Sequence, residues 1–166
     1  HQRIEKEDGV HWPCPTEDHP GTPYLFTESF PRGKGKLTPI VYRPASELPD
    51  EDYPLILSTG RVLYHWHGGT LTRRSKLDDI YPEALVEIHP QDAQDGEMSS
   101  GDWVKVRSRR GEIEARTLVT ERSPVGTIFL PFHFAEAAAN ILTIDARDPQ
   151  AKIPDYKVCA VRLEKR

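Results

Sequence analysis

The sequence predicts a mainly β domain: six or so short strands with one or two small helices, closed or nearly closed into a barrel and preceded by an extended N-terminal arm. Three observations predict it. Short apolar runs recur from Tyr53 onward, and several of them alternate with charges, the period of a strand with one wet face. Turn formers are frequent, with 15 Pro and 11 Gly among 166 residues. The hydrophobic fraction is low at 37%, which together with those turns favours short strands joined by loops over a helical bundle.

The arm comprises residues 1–52. Pro13, Pro15, Pro20, Pro23, Pro31, Pro39, Pro44 and Pro49 recur too often for a helix or a central strand, because each removes a backbone donor. Arg32-Gly33-Lys34-Gly35-Lys36 adds charge and flexibility, while Trp12, Tyr24, Leu25, Phe26 and Phe30 offer apolar anchors on another surface.

The folded domain spans residues 53–166. Leu55-Ile56-Leu57 is a buried strand that feeds a turn at Ser58-Thr59-Gly60. Ala84-Leu85-Val86-Glu87-Ile88 is a second strand, and His89-Pro90 then opens a short helix, with Pro90 in the first turn where its missing N–H costs nothing. Trp103-Val104-Lys105-Val106-Arg107 follows the Gly101-Asp102 turn with Val104 and Val106 on one face. Arg110-Gly111 turns the chain into residues 112–119, where Ile113, Ala115, Thr117 and Val119 share a face, so the two strands make a hairpin. Residues 127–130 and 158–163 supply further strands, and no internal repeat is visible. Closure into a barrel would leave no strand edge exposed.

Composition removes several classes of function. A formal net charge of −4 with acids and bases interspersed gives no support for a nucleic-acid or membrane partner. No stretch approaches the roughly 20 apolar residues that span a bilayer. The sequence opens at His1 without a secretory-signal pattern and reads as a piece of a longer protein, so a targeting signal could lie on the missing part; a soluble cytoplasmic parent is expected. Cys14 and Cys159 belong to no CxxC pair, which excludes a thiolate-built zinc or iron–sulfur centre. Cys159 lies in the apolar run 158–161 and reads as core; a disulfide between the two is compatible with the sequence.

Three segments could carry chemistry. Residues 59–74 concentrate Arg61, Arg73, Arg74, His65, His67, hydroxyls and three glycines behind a strand. Arginines and close-approaching backbone N–H groups suit pyrophosphate oxygens, and Trp66 with the imidazoles offers flat faces for a heterocycle. An ordinary charged loop is the competing reading, and neither a P-loop nor a GxGxxG fingerprint is present. His65, His67 and His133 could instead form a three-histidine zinc site, although no HExxH or carboxylate companion supports it. Asn140, behind Pro131-Phe132-His133-Phe134, carries an amide able to read a purine or pterin edge, or simply makes a turn. Lys152-Ile153-Pro154-Asp155-Tyr156-Lys157 is polar and kinked before the last strand, and can also be read as a solvated loop. No nucleophile elbow or Cys–His pair with a local signature appears.

These segments, in order, resemble the molybdopterin-dinucleotide-binding domain at the C-terminus of formate dehydrogenase catalytic subunits, in the dimethyl-sulfoxide-reductase superfamily. The resemblance is carried by Thr59-Gly60-Arg61, His65-Trp66-His67, Gly69-Thr70 and Thr72-Arg73. Val86-Glu87-Ile88-His89-Pro90-Gln91-Asp92-Ala93, Gly101-Asp102-Trp103-Val104 with Arg109-Arg110-Gly111, Asn140-Ile141-Leu142-Thr143, Asp148-Pro149 and Pro154-Asp155-Tyr156-Lys157 continue it. His11-Trp12-Pro13-Cys14-Pro15-Thr16 and His19-Pro20-Gly21-Thr22 resemble the stretch preceding that domain, so nearly the whole chain is covered. Gly68 departs from an expected hydroxyl residue and Asp155 from an expected glutamate.

The resemblance implies a double-psi β-barrel that binds molybdopterin guanine dinucleotide, with molybdenum or tungsten carried by the parent enzyme. By motif position, Gly60, Arg61, Leu63, His65 and His67 approach the pterin and phosphates, Thr70 and Thr72 add hydroxyl bonds, and Asn140, Tyr156 and Lys157 complete the pocket. His65 and His67 are expected as donors to the ligand, with no metal ligand on this chain. The implied parent oxidises formate to carbon dioxide, with its metal ligand, catalytic residues and iron–sulfur cysteines in earlier domains; Cys14 is not that ligand, and the fragment alone is not catalytic. Expected partners are the remaining domains of the catalytic subunit and electron-transfer subunits, with no nucleic acid and no direct membrane contact. A nitrate reductase or other relative is the alternative parent, and a non-catalytic protein-binding double-psi barrel the alternative class.

Overall fold

The computed structural model describes residues 1–6 and 9–166. They form two compact units, His1–Tyr42 and Arg43–Arg166.

Among the described residues the first unit contains one short helix, α1 (Gln2–Lys6), which precedes the first proline, and from Gly9 onward it consists of turns and extended chain. A few polar contacts hold it. The Arg3 guanidinium donates to the Glu17 and His19 carbonyls at 2.7 and 2.9 Å, and the Thr22 amide and hydroxyl donate to the His11 and Pro13 carbonyls. Gly21 is buried at φ 90°, and a Cβ there would lie 3.1 Å from the His11 oxygen, so the turn favours glycine. Trp12, Tyr24, Leu25, Phe26 and Phe30 are all exposed.

In the second unit, among the described residues, six strands close a barrel: β1 (Leu55–Gly60), β2 (Leu85–Ile88), β3 (Trp103–Arg107), β4 (Glu112–Val119), β5 (Thr127–Pro131) and β6 (Cys159–Lys165). Their order around the barrel is β1-β5-β2-β4-β3-β6. Two pairs are parallel, β1 with β5 and β2 with β4; β2–β5, β3–β4, β3–β6 and β1–β6 are antiparallel. Advancing every strand three places in chain order returns the same pairings with the same polarities. That two-fold relation between β1β2β3 and β4β5β6 is the double-psi arrangement, present without a visible sequence repeat.

Alternation decides what each strand buries. Val104 and Val106 on β3 and Ile113, Ala115 and Thr117 on β4 point inward, and the two strands form the expected hairpin with Val104 opposite Ala115. With Leu57, Val86, Ile88, Ile128, Leu130 and Val161 they make the core, where each fully buried aliphatic side chain contributes about 1.5–3 kcal/mol. Cys159 lies in that core, and among the described residues both it and Cys14 are free thiols. Two further helices complete the unit, α2 (Leu77–Ile80) and α3 (Pro90–Asp95). Helix α3 starts as its sequence predicts: the His89 Nδ1 accepts from the Gln91 amide and Pro90 occupies the first turn. Helix α2 and 3-10 turns at Thr72–Arg74, Ala135–Ala137 and Ala139–Ile141 lack a legible apolar period and were not foreseen.

Candidate functional site

The strand directions gather the three chemistry-bearing segments at one end of the barrel. Because β1 and β5 run parallel with Gly60 opposite Pro131, residues 61–76 and 132–144 leave the barrel side by side. Strand β6 runs antiparallel to β1 with Cys159 opposite Leu57, so residues 152–158 arrive at that same end. Hydrogen bonds stitch the three together there. The Phe132 amide donates to the Gly60 carbonyl, the Thr59 hydroxyl to the Tyr156 carbonyl at 2.6 Å, and the Lys157 ammonium to the Thr59 carbonyl at 2.9 Å.

Between these segments lies an open cleft of about 620 Å³, lined by Arg61, His67, Phe132, Asn140, Thr143, Ile144, Pro154 and Tyr156. Four residues singled out in the sequence therefore meet: Arg61, His67, Asn140 and Tyr156. Lys157 adjoins them, with its ammonium 5.4 Å from the centres of both the Phe132 and Tyr156 rings. Gly60 sits at the root of the loop, where a Cβ would run into the Phe129 ring. Among the described residues no carboxylate lines the cleft, so Arg61 and the nearby Lys157 set its electrostatic sign toward anions. Phe132, Thr143, Ile144 and Pro154 are cleft residues that the sequence did not single out individually. Three of them lie within segments already marked, and chemistry alone could not rank a proline or a phenylalanine there above its neighbours.

The remaining candidates lie elsewhere. Leu63 is 91% exposed and lines a second hollow of about 610 Å³ that Arg61 also borders, on the far side of the loop with Tyr64, Tyr81, Glu87 and Arg122. Thr70 is exposed beside the turn at Gly69, whose φ is 66°. Thr72 faces inward: its hydroxyl oxygen accepts the Trp66 amide at 3.2 Å and lies 3.0 Å from the His65 Nδ1. His65 is buried, with its Nε2 2.7 Å from the Tyr81 carbonyl oxygen. Both of its nitrogens are engaged within the chain.

Arg73, rich in donors on paper, is likewise spent. It meets Asp78 at 3.0 Å and Glu136 at 2.7 Å, and its guanidinium caps the Phe134 ring at 4.5 Å. Beneath it, His133 packs 4.8 Å from the His65 ring and is buried, with no hydrogen-bond partner on either nitrogen among the described residues. Desolvation, and then the neighbouring His65 and Arg73, push its pKa down to about 4. His67 lies in the cleft rather than with this interior pair, and among the described residues no group of three His, Cys, Asp or Glu side chains is arranged to hold a metal ion.

Comparison with known proteins bears on the same segments. The model of the molydopterin dinucleotide binding domain matches residues 55–160. The chain is 50% identical over 163 residues to the F420-dependent formate dehydrogenase subunit alpha of Methanocaldococcus jannaschii, covering 96% of this chain and 24% of that protein. It is 49% identical over 161 residues to the F420-dependent formate dehydrogenase 1 subunit alpha of Methanococcus maripaludis. To the assimilatory nitrate reductase catalytic subunit of Bacillus subtilis it is 45% identical over 167 residues. The chain thus spans about a quarter, 24%, of the length of these relatives. Among solved structures, acetylene hydratase from Pelobacter acetylenicus superposes with a TM-score of 0.62 at 20% identity, covering 74% of this chain and 20% of that one, a likeness of fold.

Proposed function

We propose that this chain, which belongs to the molydopterin dinucleotide binding domain family, holds molybdopterin guanine dinucleotide in the cleft between residues 61–76, 132–144 and 152–158. The observation that carries the reading is the convergence of Arg61, His67, Asn140 and Tyr156 on one cleft that, among the described residues, no carboxylate lines. The donor set fits such a group. Arg61 has the planar fork that pairs with phosphate oxygens, and His67 adds a second donor. The Asn140 amide offers paired donor and acceptor atoms to a pterin or purine edge, and the Tyr156 and Phe132 rings offer flat apolar faces. Lys157 ties the floor to β1 by donating to the Thr59 carbonyl. Gly60 lets the loop leave β1 close against Phe129, while Thr70 and Leu63 extend the contact surface beyond the cleft.

The parent of this domain is a formate dehydrogenase catalytic subunit, a molybdenum or tungsten oxidoreductase acting on formate, in which the bound group supplies the redox chemistry. The share of these residues is to bind, orient and shield. The other domains of that subunit and its electron-transfer subunits are the partners. The arm, expected over residues 1–52, packs on the rest of the enzyme through its part up to Tyr42, since residues 43–52 belong to the barrel unit, where Glu47 bonds Arg110. The parent is placed in the cytoplasm; among the described residues, no helix is long and apolar enough to cross a membrane. The nitrate reductase reading is kept by the 45% identity to the Bacillus subtilis enzyme. Turnover of formate against nitrate by the full-length subunit separates the two.

The cleft itself is tested by calorimetric titration of the 166-residue chain with guanosine 5′-diphosphate. Saturable binding that weakens about tenfold in Arg61→Ala and in Asn140→Ala supports it, since each loses a charge-assisted or paired hydrogen bond. Binding unchanged in both variants refutes it.

A further inference from the structure

We propose that His65 is a positioning residue: in its Nε2–H form it clamps the loop after β1 and so holds Arg61 and His67 at the mouth of the cleft. The inference rests on the reading of that cleft as the binding site, and it gives His65 a part other than donor to the ligand.

For the neutral ring, hydrogen-bond chemistry fixes the tautomer. The Nε2 partner is the Tyr81 carbonyl oxygen at 2.7 Å, an atom that can only accept, so Nε2 carries the hydrogen. The Nδ1 partner is the Thr72 hydroxyl at 3.0 Å. That hydroxyl oxygen already accepts the Trp66 amide at 3.2 Å, and its own hydrogen is available for Nδ1. The set closes as a relay: Trp66 N–H to Thr72 oxygen, Thr72 O–H to His65 Nδ1, His65 Nε2–H to the Tyr81 carbonyl. Residues 66, 72 and 81 are thereby held to one buried ring.

The ring has little freedom to leave this arrangement. It is 4% exposed and touches the rings of His133, Phe134 and Tyr81. The Asp78 carboxylate lies 3.9 Å from Nε2 but is committed to Arg73 at 3.0 Å. The relay ends on the cleft side at Trp66. The Trp66 ring lies 4.6 Å from the His67 ring and carries the Arg61 guanidinium 5.9 Å from its centre. Fixing the Trp66 amide therefore sets the two donors that line the cleft.

The test uses the 166-residue chain, unmodified and as Thr72→Val and Thr72→Ser. Long-range proton–nitrogen correlation on the unmodified chain is expected to show His65 with a protonated-type Nε2 and an acceptor-type Nδ1. Thr72→Val should speed hydrogen exchange at the Trp66 amide at least tenfold, abolish the Arg61–Trp66 nuclear Overhauser contact and weaken guanosine 5′-diphosphate binding at least fivefold; Thr72→Ser should restore all three. An Nδ1–H tautomer overturns the proposal, and so does a Thr72→Val chain that keeps the wild-type exchange rate and Arg61–Trp66 contact. If Thr72→Val fails to fold, the tautomer and the Thr72→Ser exchange rate decide. If the unmodified chain binds no guanosine 5′-diphosphate while tautomer, exchange and contact behave as expected, the reading of the cleft fails and the clamp stands.

Discussion

Replacing Glu47 with Gln should cost this protein about 2 kcal/mol at neutral pH and almost nothing in strong acid. The Glu47 carboxylate is 13% exposed and gathers four contacts. Arg110 reaches both of its oxygens, at 2.7 and 2.8 Å, Arg109 donates at 2.9 Å and the Ala160 amide at 3.0 Å. Burial alone would raise its pKa, but the Arg110 bonds, the Ala160 amide and Arg109 outweigh it and bring the value from 4.5 down to about 2. A shift of that size corresponds to about 3 kcal/mol at about 1.4 kcal/mol per unit. The arginines are 39% and 28% exposed, so solvent screening should leave about 2 kcal/mol. Because the folded pKa is depressed, the contribution is complete above pH 4.5 and is lost as pH falls through about 2. Urea unfolding of both chains between pH 7 and pH 2, read by circular dichroism, measures it. A difference below about 0.5 kcal/mol at pH 7, or one that stays constant down to pH 2, would refute the reasoning.

Gly60→Ala forces a methyl group into the Phe129 ring and should lower stability by about 1–3 kcal/mol, measured as a drop in thermal midpoint; an unchanged midpoint would mean that the loop root yields without cost. His133 is held near pKa 4, below its ordinary 6.5, so its contribution is complete above pH 6.5 and lost as pH falls through 4. His133→Phe should flatten the stability profile across that window, and a proton-NMR titration midpoint near 6.5 for His133 would contradict the structure.

The six strands were legible because each carries its own signal. Alternation in Glu112-Ile113-Glu114-Ala115-Arg116-Thr117 and the Arg110-Gly111 turn before it specify both a strand and its hairpin partner within some twenty residues, the scale over which local pattern speaks. Closure was a fair inference from the number of strands, but the parallel pairing of β1 with β5 joins segments some seventy residues apart, and no local pattern encodes it. Part of the candidate site was legible for a related reason. Arg61, His67, Asn140 and Tyr156 belong to motifs whose order is preserved along the chain, even though nothing in their spacing says that they share a cleft. His65 and His67 look alike two residues apart, yet one faces the cleft and the other is engaged inside the chain.

By itself, then, the sequence determined the kind of domain, its strands and the residue types from which an anion site could be made, because hydrophobic period, turn chemistry and side-chain identity are local properties. Only the tertiary structure decided which of those residues meet. The parallel β1–β5 pair and the antiparallel return of β6 bring three distant segments to one end of the barrel. Burial then divides donors into those free for a ligand and those consumed by the fold, since a polar atom removed from water must find its partner inside the chain.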